Sequence, residues 1–487
     1  MRKLQSVAAF FKKPGFILIL ILLAFFLKGV FTAAIFPIFT GQDESRHYNS
    51  IQYLTEPKEK NWEMTARAHI ADKETFRDYN FSQEILEAGM AMDIDRVRHE
   101  GFNTADFAAG YDGQNETLIN SRPWQPYNYL DPPDTAGHSL YHTLGSKIEK
   151  TFAGGGIFVR FFLIRVFGVF LATLAVLFTY FITKNSGFRE KESLIIAAIV
   201  SMQPKFSMYS TNINYDALLI PAFFLFTLGA VLALRNGLAW KNTAAMLIAI
   251  ATGLLTKGTA LVMLAIFILL IGYLFHQKIK DRKNVWLYYS SAFLGLLAIL
   301  FLVSRFTSYN LARIILPEDG ISQTFSSIRN YLNESLTMGR FALSSRTYWG
   351  ALTWGNGWVA ENFTNVIKFI ETFSSAGLVL FFVSKKPDWL PEKKYIAFFV
   401  LMIAALQLGI RFFDWKVFIN TGALDLGTPG RYFLPNLASH IILVFVGIGA
   451  FFRREKYFQH TLILGLLLMF AFSMYTIFNI VIPRTYL

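Results

Sequence analysis

Eight residues, GQDESRHY from Gly41 to Tyr48, bring together two adjacent carboxylates (Asp43 and Glu44), an arginine (Arg46) and an imidazole (His47). They follow directly on a long apolar stretch. Neighbouring carboxylates at a membrane exit repel one another unless a proton, a cation or a basic partner is shared between them. An ordinary carboxyl, with a pKa of about 4, is a weak base at neutral pH and gains strength from burial or a second negative charge. The pair therefore suits a general base, or a ligand to a divalent cation, at the rim of a membrane cavity. A solvated cap after a helix is the competing reading.

Other chemistry-bearing groups recur at the ends of apolar runs. HSLYH supplies His138, Tyr141 and His142; on a helix the i, i+4 histidines would share a face and could serve a metal, or all three could be interfacial anchors. Arg160 and Arg165, inside the following apolar run, require an anionic partner, either a lipid phosphate or an internal carboxylate. SMQPKFSMYSTNINYD offers Lys205, Asn212, Asn214 and Asp216 at a turn. Asp216 could bind a sugar hydroxyl or pair with one of those arginines. In LLTKGTAL, Lys257 sits between apolar runs, as a compact cation for phosphate or as a snorkelling lysine. GTPGRYFLP presents Arg431, which can take phosphate through two parallel N–H bonds, beside Tyr432. RTYWGALTWGNGW interleaves Tyr348, Trp349, Trp354 and Trp358 with glycine, as an interfacial belt or a sugar-stacking platform.

The elements that must hold these groups are membrane helices. Of 487 residues 54% are hydrophobic and 16% aromatic, the mean hydropathy is +0.39, and the apolar residues come in blocks long enough to cross a bilayer. The net charge of +13 would suggest a nucleic-acid partner in a soluble chain. Here the basic residues crowd short joints (Arg2, Lys3, Lys12, Lys13; Lys278, Lys280, Arg282, Lys283; Lys385, Lys386, Lys393, Lys394; Arg453, Arg454, Lys456), the positive-inside pattern. The segment 41–150 is instead acidic, with roughly 19 Asp and Glu against 11 Lys and Arg. Basic charge thus sets topology, and no nucleic acid is expected. With no cysteine, disulfides and thiolate chemistry are excluded.

The expected fold is an all-α polytopic bundle of about 11 transmembrane helices with a large first extracytoplasmic loop. The first apolar stretch, Phe16 to Phe39, is too long for a signal peptide and reads as an uncleaved anchor with its N-terminus cytoplasmic. Counting spans outward from it puts every basic joint inside and every chemistry-bearing segment outside. A first module covers 1–303, including the outer loop 40–155; a second covers 304–487, with outer segments 304–363 and 411–432. SQEILEAGMAMDIDRVRHEG in the loop has the pattern of helices lying at the membrane surface, and RPWQPYNYLDPPDTAGH that of ordered irregular structure.

The order of an acidic pair after span 1, HSLY before span 2, an Asp after span 3 and a TKG turn resembles the GT-C superfamily of integral membrane glycosyltransferases. GQDESRHY is similar to the corresponding motif of its aminoarabinose and mannosyl transferases. LLTKGTAL is similar to their TKGP element, with Thr259 where proline is usual. YWGALTWGNGW and GTPGRYFLP look more like a bacterial family of membrane proteins of unknown function with that architecture. The resemblance implies a multi-pass protein of the cell membrane that transfers sugar from a polyprenyl-phosphate donor to a glycan, lipid or protein acceptor of the cell envelope. Asp43 would be the base of an inverting displacement, and Glu44 would position the acceptor or hold a cation. Arg46, Lys257 and Arg431 would stabilise the leaving phosphate, with His47, His138, Tyr141, His142, Asn214, Asp216 and Tyr432 as further substrate contacts. A divalent cation is a candidate cofactor, used by some members and not others. The alternative from another class is a transporter or flippase of lipid-linked sugars, which would need the cations but no base; the absence of a visible internal repeat speaks against it.

Overall fold

Helix α1 spans Pro14–Ile35. The computed structural model describes residues 14–55, 84–85, 88–89, 138–279, 321–335, 338–352, 358–424 and 428–483. After α1 come α2 (Glu44–Thr55), α3 (Leu140–Thr151), α4 (Ile157–Ser186), α5 (Glu190–Met202), α6 (Pro204–Tyr209) and α7 (Asp216–Asn236). They are followed by α8 (Trp240–Leu254), α9 (Leu261–Ile279), α10 (Ile321–Ser335), α11 (Met338–Gly350), α12 (Glu361–Val383), α13 (Lys393–Thr421), α14 (Leu437–Ala450) and α15 (Glu455–Thr476). Among the described residues there is no strand, only an isolated bridge between Ala351 and Trp358.

This is an all-α polytopic membrane protein. Among the described residues eight helices, some extended by a 3₁₀ or π turn, are long and apolar enough to span a bilayer: α1, α4, α7, Gly258–Ile279, α12, α13, Gly430–Ala450 and Glu455–Val481. Two others expected from the sequence are short, α5 with 13 residues and α8 with 15, against the roughly 20 a bilayer asks for. α5 is cut by Gln203 and Pro204 and resumes as α6, so its path is a broken helix. The apolar stretch 285–303, which counts among the about 11 expected spans, lies outside the described residues, as do Trp354 and nearly all of the surface segments of the first loop. α13 extends through 411–421, which the sequence pattern assigns to an outer segment.

The two ends of the bundle differ. At one end the basic joints meet: Arg189 pairs with Glu455, Lys184 with Glu190 at 2.9 Å, and Arg235 donates to the side chain of Asn185 at 2.9 Å. At the other end the Leu140 N–H donates to the Leu255 carbonyl at 2.8 Å, joining the HSLYH segment to the TKG turn. Between them, α12 and α14 cross with backbones in direct contact, because Gly377 and Gly447 carry no Cβ to hold them apart.

Candidate active site

α1 ends at Ile35, and the chain then turns through 36–43 into α2. Asp43 has φ +58° and Phe39 φ +61°. A left-handed Asp is tolerated through local hydrogen bonding; a left-handed Phe is costly and must be held by its surroundings. Arg165 of α4 does much of the holding. Its Nη1 donates to the carbonyls of Ala33 (3.1 Å) and Phe36 (2.6 Å), and its Nη2 to that of Pro37 (2.9 Å), which satisfies carbonyls left open where α1 stops. Its Nε and Nη2 reach Glu44 Oε1 and Oε2 at 2.9 and 2.7 Å. All five guanidinium N–H bonds are thereby used. Glu44 is wholly buried and also accepts the N–H of Gly41 and of Ile213, each at 3.0 Å.

Asp43 is turned the other way. Its Oδ2 accepts from Arg431 Nη2 at 2.8 Å, and about a third of its side chain, 32%, is open. Arg431 Nη1 also donates to Gln42 Oε1, while Arg431 Nε is buried with no partner among the described residues. The neighbouring carboxylates therefore do not converge; each has its own arginine.

Next to Arg431 lies a second ion pair. Lys257 Nζ donates to Asp216 Oδ1 at 2.9 Å and stands over the rings of Tyr432 (3.8 Å) and Tyr215 (4.7 Å). Burial by itself would lower the Lys257 ammonium, but Asp216, Tyr432 and Tyr215 outweigh it and hold it above the ordinary lysine range. Tyr209 O–H donates to Asp216 Oδ2 at 3.2 Å, and Asn214 Oδ1 accepts the Asp216 N–H at 2.9 Å, shaping the start of α7. Asp216 thus pairs with neither span-2 arginine. Arg160 instead meets Glu149 and Glu84, so both arginines have internal carboxylates.

The histidines divide. Helix α3 begins after His138, with Ser139 as its N-cap, so the i, i+4 face never forms. His138 is exposed and stacks on Tyr53 at 5.4 Å, and Tyr141 is wholly buried among apolar groups. His142 Nδ1 accepts the Ser139 N–H at 3.1 Å. That leaves its proton on Nε2, which donates to His47 Nδ1 at 2.9 Å. Burial, reinforced by neighbouring charge, drives His47 well below the ordinary histidine range and His142 down to about 3. The pair is neutral, and Tyr215 meets His47 edge-on at 4.6 Å, linking it to Lys257. Arg46 is half-buried one residue away.

Asp43, Arg431, Lys257, Asp216, Tyr432, His47 and His142 are therefore gathered at one end of the bundle, with Glu44, Tyr141 and Asn214 in its framework. Sequence reasoning passes over Gln42, Tyr209 and Tyr215, although all three lie inside or beside the segments it quotes. Among the described residues no three His, Asp or Glu side chains stand together as a metal ion would need. The arrangement offers a half-open carboxylate beside two fixed cations, a geometry suited to handling a phosphate and a hydroxyl side by side.

Residues 157–309 match the family described as dolichyl-phosphate-mannose-protein mannosyltransferase; Asp216 and Lys257 lie inside that stretch, Asp43 and Arg431 outside it. The chain is also similar to the oligosaccharyltransferase of Archaeoglobus fulgidus in complex with zinc and sulfate (14% identity, TM-score 0.41, 96% of this chain and 53% of that one). The same protein tethered to an acceptor peptide gives 13% identity and a TM-score of 0.41 over 98% and 56% of the two chains. The chain spans about half the length of these structures. None of the curated proteins matches it. The matched stretch covers less than half of this all-α polytopic chain, and it is that segment which is similar to the mannosyltransferase family.

Proposed function

We propose that the protein transfers a sugar from a polyprenyl-phosphate donor to a hydroxyl-bearing cell-envelope acceptor on the extracytoplasmic face. The observation that carries this reading is the Asp43–Arg431 pair: a half-open carboxylate 2.8 Å from a guanidinium whose Nε has no partner among the described residues. The donor phosphate is held by Arg431, whose planar fork suits two phosphate oxygens, and by Lys257 as a point charge. As the phosphate shares the Arg431 charge, more negative charge remains on Asp43 to attract the acceptor proton.

The acceptor oxygen attacks the anomeric carbon and its proton passes to Asp43. The bond from that carbon to the phosphate oxygen breaks on the opposite face, inverting the centre, and the lipid phosphate leaves with the electron pair. Fixed cations in a site poor in water supply stabilisation of the leaving charge that does not have to be reorganised during reaction. Glu44 takes no part in proton transfer; it fixes the backbone that presents Asp43.

Purified protein assayed with a panel of polyprenyl-phosphate sugars tests this. Asp43→Asn is expected to lower transfer by about 10²–10⁴-fold, the usual worth of a general base, with donor binding kept, and Arg431→Ala to weaken donor binding. Donor movement across vesicles that survives Asp43→Asn and fails in Arg431→Ala would instead establish the flippase.

A further inference from the structure

A cavity of about 410 Å³ lies between α11, α12, α13 and α14, within the size range of small-molecule sites. Its wall includes Glu371 of α12, ten residues from that helix's start, which places the carboxylate roughly 15 Å along the helix and deep within the bilayer. An ionisable side chain at that depth marks a functional site by default. Trp349 Nε1 donates to Glu371 Oε1 at 2.9 Å, and His440 Nε2 approaches the same oxygen at 3.2 Å. Tyr348 O–H and His440 Nδ1 are 3.1 Å apart, completing a fixed polar chain. Among the described residues no donor engages Oε2 of Glu371. Asn436, also on the wall and 4% exposed, donates from Nδ2 to the Met402 carbonyl at 2.6 Å, while its buried Oδ1 has no partner among the described residues.

The lining selects a ligand class. Glu371 disfavours a bare anion and Arg411, on the same wall, disfavours a bare cation. A neutral group whose hydroxyls both donate and accept suits two acceptor oxygens beside the guanidinium and the Gln407 amide. Tyr348, Trp349, Phe433 and Leu406 supply apolar walls for the C–H faces of such a ring. The cavity also adjoins the candidate active site. In the 3₁₀ turn Gly430–Asn436, Arg431 and Tyr432 face Asp43 and Lys257, while Phe433 and Asn436 face the cavity.

We propose that this cavity is a saccharide subsite that takes an uncharged sugar ring of the donor or the acceptor. The inference rests on the transferase reading for the origin of that sugar. The test is a titration of the full chain in nanodiscs with methyl glycosides of neutral hexoses and N-acetylhexosamines, followed by calorimetry. Saturable binding is expected, weakened roughly tenfold or more in Glu371→Gln or Gln407→Ala and blocked in Ser345→Phe, which fills the cavity. Glycoside binding by a wild-type protein that transfers no sugar from any of the polyprenyl-phosphate donors would keep the subsite and discard the transferase. Displacement by a polyprenyl-phosphate sugar assigns the ring to the donor; displacement by an acceptor glycan alone assigns it to the acceptor. Absence of saturable binding by the wild type overturns the proposal even where a variant fails to fold. So does binding of inorganic phosphate or choline in place of the glycosides, or glycoside binding indifferent to all three cavity substitutions.

Discussion

A carboxylate that accepts four N–H bonds has no lone pair left for a substrate proton, and that separates Glu44 from Asp43. Glu44 and Arg165 form a buried pair whose loss should be costly. Arg165→Met leaves a desolvated charge and is expected to destabilise the protein by about 3–5 kcal/mol. Adding Glu44→Gln removes that charge and should recover part of the loss. A double variant less stable than Arg165→Met in thermal unfolding would refute the buried-charge account. The neutral histidine pair gives a pH dependence of known sign. His142 titrates near 3 when folded against about 6.5 when unfolded. The folded state therefore binds fewer protons below pH 6.5, and stability is full above that value and falls as pH drops toward 3. For this one group the loss at pH 5 is about 2 kcal/mol. The melting temperature should decline from pH 7 to 5, and more shallowly in His142→Gln; equal slopes would contradict it. The residue types at the site were legible in the sequence because carboxylates and cations are expensive beside a membrane. Which partner each would take was not, since Asp43 and Glu44 are adjacent while Arg431 and Arg165 come from distant helices.

At the scale of elements, hydropathy reveals the long helices because lipid-facing sides must be apolar throughout, as on α12 and α15. It says less about where a helix must break. The Gln203–Pro204 break between α5 and α6 is set by tertiary partners: Gln203 Oε1 accepts the Phe206 N–H, and its Nε2 donates to the Tyr348 carbonyl at 3.0 Å. Likewise the HSLYH spacing suggested one helical face, but the Ser139 side chain stops the helix short of His138. The α12–α14 crossing lets one expectation be tested. A Cβ at Gly377 would strike the Gly447 carbonyl, and Ser374 Oγ already donates to the Val444 carbonyl at 2.9 Å beside it. Gly377→Leu should therefore pry the helices apart, at a cost of about 1–3 kcal/mol for overpacking, and separate Glu371 from His440. Unfolding measured beside Gly272→Leu, where a Cβ meets nothing within 4 Å, checks this. Equal effects of the two substitutions would show that the crossing is not tight.

Across the whole molecule the two charge systems occupy opposite ends, and this bears on sidedness independently of span counting. The basic joints near 184–191, 385–394 and 453–456 reach one another through Arg189–Glu455 and through Gly187 lying against Pro391. Asp43, Lys257 and Arg431 gather at the far end. A missed helix in the 280–320 region would invert a sequence-derived topology beyond it, but it cannot move Arg431 away from Asp43 once the bundle is formed. Because basic joints are retained in the cytoplasm, the site end should face outward. The chain has no cysteine, so single cysteines report position without background. His138→Cys and Thr421→Cys, both exposed at the site end, should react with a membrane-impermeant maleimide added to intact cells. Lys385→Cys and Trp240→Cys, exposed at the basic end, should react only after the membrane is opened. The reverse pattern would put Asp43 in the cytoplasm and force a different donor route. A split pattern, with His138→Cys and Thr421→Cys on opposite sides, would mean that Asp43 and Arg431 do not share one site.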